Sequence, residues 1–206
     1  LPAPRGADPG SPRGMPAVYN VFMWVSRTRC PPHRPPAVPY TKIPSVIVRS
    51  AADQLLLITQ PDHAGLAAQI MAEWRRDDFP GSPLRRAILD ATRDHDNGWI
   101  EPDGAPIVDP ATGRLLDFIN APETVRQGIW PRGVERLRDL PYAAALVAEH
   151  ALSVYEHYQD RPAWADFFKD MEEMRDAALA AAEPQTLADL RRDYFFVRMG
   201  DLASLA

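Results

Sequence analysis

A mostly α-helical bundle with a short β-hairpin at its start is the fold class this sequence predicts. Three observations carry that expectation. Apolar residues recur at spacings of three and four over five stretches between residues 59 and 206, a Ser/Thr or Pro opens most of those stretches, and the strand-like runs reduce to one short pair beginning near Val46. At 206 residues and 46% hydrophobic, the chain buries one core of ordinary size, which favours a single domain with an extension.

Composition narrows the function classes. A net charge of -5 argues against a nucleic-acid backbone or an anionic membrane surface as the main partner, and leaves a small polar substrate open. One cysteine, Cys30, forms no internal bridge, and no apolar run approaches the ~20 residues of a membrane span, so the expectation is a soluble, reduced, cytoplasmic protein. The 21 Arg against 2 Lys read as genome base composition rather than as a phosphate-binding device.

Residues 1–44 hold 11 of the 22 prolines, with Pro31-Pro32 and Pro35-Pro36 close together, and such a segment sustains neither helix nor sheet ladder. It reads as a disordered or extended spacer preceding a domain at 45–206. Val46 to Arg49 and Leu55 to Thr59, around a polar turn, form the hairpin. The first helix follows, with Thr59 as cap and Pro61 in its first turn, and its inward face is His63, Leu66, Ala67, Ile70 and Trp74. The second has Ser82 as cap and Pro83 at its first position, with Leu84, Ile88, Ala91 and His95 inward.

Between 97 and 133 stand Pro102, Gly104, Pro106, Pro110, Gly113, Pro122 and Gly128, which predict a long covering loop. Pro141 opens a helix over 142–158 whose face carries Ala143, Val147, His150, Val154 and His157. A helix over 163–182 shows the stripe Trp164, Phe167, Phe168, Met171 and Met174, read as core; it is also the candidate for a subunit contact should the chain be an oligomer. The last helix starts at Thr186 and presents Leu187, Leu190, Tyr194, Val197 and Asp201, provided Gly200 does not break it, and it has no stop signal before Ala206.

The chemistry centres on Asp94-His95-Asp96-Asn97-Gly98-Trp99. Adjacent helical residues point about 100° apart, so His95 and Asp96 share one metal ion only at a helix end, which Gly98 is expected to supply. An Asp at that end also opposes the macrodipole and calls for a compensating cation. Together with His63, His150 and Asp201, and with His157 as an outlying candidate, these residues fall on inward faces of separate helices, the way bundles build metal sites. Imidazole and carboxylate ligands suit Mn, Fe, Zn or Mg. Each residue taken alone has a duller reading: a hydrogen-bonded core histidine for His63 or His150, a partly exposed packing residue for His157, a solvated acid for Asp201.

The order of a histidine, a His-Asp doublet and a distant aspartate in a helical domain resembles the HD superfamily of metal-dependent phosphohydrolases. By that resemblance the fold is an HD-like bundle, His63, His95, Asp96 and Asp201 bind the first metal, and His150 is an added ligand or phosphate contact. The run Ile58-Thr59-Gln60-Pro61-Asp62-His63, with His95-Asp96-Asn97-Gly98-Trp99, Asp109-Pro110-Ala111-Thr112-Gly113, Pro141-Tyr142 and His150, resembles more closely a bacterial domain-of-unknown-function 3891 family over about residues 45–206. The expectation is hydrolysis of a phosphate ester or nucleotide at a divalent metal, with Asp96 and His150 catalytic and Arg85 or Arg126 candidates for stabilising phosphate charge. A non-enzymatic module for a small ligand or metal is the alternative, and a di-iron oxygenase on the same scaffold the third.

Overall fold

A computed structural model describes residues 46–206, apart from 52–53, 76–77, 82, 106–107, 110, 114 and 183. The proline-rich 1–44 segment and the Ser82 cap lie outside the described residues. Strands β1 (Ile47–Ala51) and β2 (Gln54–Ile58) pair antiparallel with Ile47 opposite Ile58, in the predicted hairpin. Among the described residues seven α-helices follow: α1 (Gln60–Ala72), α2 (Leu84–Asp94), α3 (Ile100–Asp103), α4 (Glu123–Arg136), α5 (Pro141–Val154), α6 (Ala165–Ala181) and α7 (Leu187–Leu205). The protein is mostly α with a β-hairpin at its N-terminal side. No described helix is long and apolar enough to cross a membrane.

Local chemistry sets the helix starts. Thr59 caps α1 by accepting from the Asp62 amide at 3.2 Å, and the amide of Gln60 donates to buried Asp103 Oδ2 at 2.6 Å, so the acid of α3 neutralises the positive end of α1. A reciprocal capping box between Thr186 and Asp189 opens α7. Pro141 occupies the first turn of α5, where a missing N–H costs nothing.

Packing places α2 against α1, α5 and α7, and α6 against α5 and α4. Ile88 and Ala91 of α2, Leu146 and Val147 of α5, and Leu190 and Val197 of α7 are buried, and the predicted stripe of α6 is core through Trp164, Phe167, Phe168 and Met171. The expected face of α1 is half right. His63 and Ala67 point inward, but Leu66 and Ile70 are 47% and 37% exposed, and Ala64 and Met71 take their place. Small residues on that face let α1 lie close to its neighbours, so the buried stripe follows contact distance rather than side-chain size.

The expected 97–133 loop is a correction. Only its middle lacks helix: residues 97–99 form a 3-10 turn, α3 follows, and α4 runs from Glu123 straight through Gly128, Pro131 and Gly133. An interior proline costs about 3 kcal/mol of helix stability. Burial of Ile129, Trp130 and Val134, at about 1.5–3 kcal/mol for each large apolar side chain, offsets it. Two glycines serve this packing. A Cβ on Gly98 would stand 2.1 Å from the Ile129 carbonyl oxygen, and one on Gly133 would stand 2.8 Å from Asn97 Oδ1. Gly98 therefore does not end α2, which stops at Asp94; it lets the following turn touch α4. α5 likewise stops at Val154, and His157 lies exposed on a separate 3-10 turn.

Candidate metal centre

His63 sits one turn inside α1 because Thr59 caps that helix, and it faces the core. His95 is the last residue with helical angles at the end of α2, whereas Asp96, with φ -106° and ψ 17°, has left them. That change of direction lets two adjacent side chains converge, with Asp96 Oδ2 3.3 Å from His95 Nε2. Asp201 arrives from α7, which continues through Gly200 unbroken. A Cβ on Gly200 would lie 2.7 Å from Met71 Cγ and 2.8 Å from Thr92 Cγ2, so the bare glycine brings α7 down onto α1 and α2. Asp201 Oδ1 then lies 3.0 Å from His63 Nε2 and 3.5 Å from His95 Nε2.

His63, His95 and Asp201 form the tightest grouping, with one ligand atom from each within 4.8 Å of the others. Asp96 Oδ2 reaches both imidazoles, at 3.3 and 3.8 Å. His150, from α5, stands at the margin: its Nε2 is 4.0 Å from Asp201 Oδ2, and its ring lies edge-on to His95 at 4.9 Å. His157 is not in the cluster. The five predicted site residues therefore come together from four helices, although they span residues 63 to 201.

The second ring nitrogens reveal what the cluster lacks. His95 Nδ1 donates to the Thr92 carbonyl at 2.8 Å, which turns Nε2 towards the Asp96 and Asp201 carboxylates; this buried atom makes no hydrogen bond of normal geometry. Ser204 donates its only proton to the Asp201 carbonyl at 2.7 Å, so at 2.9 Å from His63 Nδ1 its oxygen accepts. His63 Nε2 in turn donates to Asp201 Oδ1 at 3.0 Å. Two imidazole Nε2 atoms and two carboxylates converge in a buried recess, where the imidazole protons, or a cation in their place, offset the two negative charges. Thr92, Ser204 and Tyr194 hydrogen-bond the candidate histidines, contacts that sequence reasoning missed. Thr92 and Ser204 each lie one turn from a predicted ligand, which was the available signal.

Charge follows from this geometry. Burial pushes the His95 imidazole down, but the Asp96 and Asp201 carboxylates outweigh it and hold it up at about 10. Burial would raise Asp201, yet its contacts to His63 and His95 keep it well below the usual carboxylate range. His150 goes the other way. Burial, with the positive His95 beside it, lowers it to about 4, so it is neutral at pH 7. Burial also pushes the Tyr194 hydroxyl, 3.1 Å from His150 Nδ1, up to about 12. Donating to Nδ1, that hydroxyl leaves the His150 proton on Nε2, facing Asp201.

The donor set fits a divalent ion. Nitrogen and oxygen ligands without thiolate suit Mn, Fe, Zn or Mg, and the unpartnered Nε2 of His95 is the kind of orphaned atom such an ion satisfies. The two arginines that sequence proximity suggested separate cleanly. Arg85 donates to the carbonyls of Ala72 and Trp74 and lies over the Phe79 ring, where it ties the end of α1 to α2. Arg126 lies among the rings of Tyr155, Tyr158 and Trp164.

No curated protein and no solved structure matches the chain. The family model described as a protein of unknown function (DUF3891) matches residues 46–206, and the chain belongs to that family.

Proposed function

We propose that this domain is a metal-dependent phosphohydrolase of HD type, acting on a phosphate ester or nucleotide. The observation that carries this reading is the convergence of two imidazole nitrogens, each aimed by a partner on its far nitrogen, with Asp96 and Asp201 in a buried recess. In this reading His63, His95, Asp96 and Asp201 hold the ion. A bound divalent ion supplies Lewis acidity and lowers the pKa of a bound water towards neutrality.

The chain's own residues do the rest. Asp96, whose Oδ2 faces both imidazoles, would help hold the ion and orient the attacking water. His150, neutral and carrying its proton on Nε2, donates to a phosphate oxygen as charge develops there. The histidines are nearly sealed, while the Asp96 and Asp201 side chains keep 11% and 17% exposure, so a substrate approaches over the carboxylates. Among the described residues this is the single grouping of His, Cys, Asp and Glu able to hold an ion, which favours one metal over a di-iron pair.

The test is metal content by inductively coupled plasma mass spectrometry on untagged protein, followed by a screen of phosphate esters and nucleotides with the metal found. Near-stoichiometric metal in wild type, lost from folded His95→Ala and Asp201→Asn, with ester hydrolysis lost in parallel, supports the reading. Metal without hydrolysis of any ester turns it into a binding module. Metal-free protein that stays so after reconstitution with Mn, Fe, Zn or Mg makes the histidines core residues.

A further inference from the structure

Beside the candidate centre lies a group of the opposite polarity. Trp130 of α4 stands edge-on to His150, with ring centroids 5.5 Å apart, and to Tyr155 at 6.0 Å. Tyr155 in turn packs on Trp164 at 4.8 Å and Tyr158 at 6.1 Å. The Arg126 guanidinium sits within this nest, 5.3 to 5.9 Å from the rings of Tyr158, Trp164 and Tyr155. A continuous series of ring contacts therefore joins Arg126 to His150 and the metal ligands.

The hydrogen-bonding inventory of the nest is one-sided. Arg126 Nε, Trp130 Nε1 and Trp164 Nε1 are all buried without a hydrogen bond of normal geometry, although the Trp130 N–H faces the Tyr155 hydroxyl. Each is a donor with no accepting capacity. A buried donor left unpaired costs about 1–3 kcal/mol, so three in one nest call for an acceptor that enters from outside. Arg126 has weak ties elsewhere: it donates to the Tyr158 hydroxyl at 3.2 Å, and its Nη2 is 3.9 Å from Glu123, a carboxylate that also pairs with Arg161 at 3.4 Å. With 14% of its side chain exposed, Arg126 is open to solvent.

We propose that Arg126, with the indole N–H of Trp130, forms a subsite for an oxyanion of the substrate, on the His150 side of the centre. This rests on the reading of the centre given above and extends it: the substrate carries a phosphate or carboxylate in addition to the ester at the metal. An arginine ringed by aromatic faces binds a planar or tetrahedral oxyanion through parallel N–H groups while the rings exclude water. The carboxylate paired with it, Glu123, is partly exposed and shared with Arg161, so an incoming anion displaces it without stranding a charge.

The experiment uses the full chain, stripped of metal, titrated separately with inorganic phosphate and with acetate, and reads intrinsic tryptophan fluorescence because Trp130 and Trp164 flank Arg126. Wild type is expected to give a saturable change with one of the two, which also identifies the oxyanion. The affinity should fall at least tenfold in Arg126→Gln, fall less in Arg126→Lys, which keeps the charge, and fall in Trp130→Phe. The response should persist in His95→Ala, so a failed metal reading does not mask a working anion site. No saturable response in wild type to either anion, or an undiminished response in Arg126→Gln, overturns the proposal. Should Arg126→Gln not fold, Arg126→Lys and Trp130→Phe carry the same decision.

Discussion

Gly98→Ala is the substitution that tests how the centre is held. The glycine lies two residues after Asp96, and an alanine Cβ there would stand 2.1 Å from the Ile129 carbonyl oxygen and 2.8 Å from its carbonyl carbon. Carbon and oxygen in contact stay about 3.3 Å apart, so the turn or α4 has to retreat by roughly 1 Å. Both neighbours are backbone and neither swings aside. Overpacking of this kind costs about 1–3 kcal/mol, and a backbone obstacle belongs at the upper end. For a domain of this size each kcal/mol is worth about 2–4 °C, giving a fall in Tm of roughly 6–12 °C.

Retreat of the turn also drags Asp96 off His95, so metal affinity should drop about 10- to 100-fold, as it does when outer support of a ligand is lost. Gly128→Ala is the matched control. It lies in the same α4, exposed, with nothing within 4 Å of its Cβ, and should stabilise by about 1 kcal/mol through helix propensity alone. Thermal unfolding by circular dichroism and metal titration decide the matter. A Gly98→Ala protein melting within about 2 °C of wild type, with unchanged metal affinity, would show that the close approach does not position the centre.

Two further outcomes concern protons. Because the two carboxylates keep His95 protonated up to about pH 10 in the metal-free protein, metal uptake at pH 7 should release about one proton, and affinity should rise about tenfold per pH unit between pH 6 and 9. Calorimetry in buffers of different ionisation enthalpy counts that proton directly, and a count near zero would exclude displacement from His95. The metal-free protein should also show a stability maximum near pH 6.5, measured by urea unfolding across pH 4–9. Above that pH the native state keeps the His95 proton that the unfolded chain has lost, so stability falls; between about 4 and 6.5 the unfolded chain binds a proton at His150 that the native state refuses, so stability rises with pH. A profile that keeps rising through pH 9 would mean that His95 is not protonated in the native protein.

Much of this was written locally. Thr59, Pro141 and Thr186 announce helix starts through cap chemistry that needs no partner, and the three-and-four spacing then decides that His63, His95, His150 and Asp201 lie on inward faces. That is why the inward placement of these candidate residues was legible one at a time. The misread parts are those where packing overrides local preference. Gly128, Pro131 and Gly133 read as punctuation, yet α4 runs through them, because Ile129, Trp130 and Val134 are buried and Gly133 is the contact surface for Asn97.

By itself, then, the sequence determined the mostly helical class with its hairpin, the caps, and the set of inward histidines and acids, since each depends on interactions within a turn or two. Only the tertiary structure decided that Gly200 lets α7 deliver Asp201 to residues more than a hundred positions away, that Ser204 and Thr92 aim two imidazole nitrogens at the carboxylates, and that Trp130 packs on His150. Those features depend on distances between helices, and distances between helices are set by side chains meeting across the core, which no periodicity along the chain records.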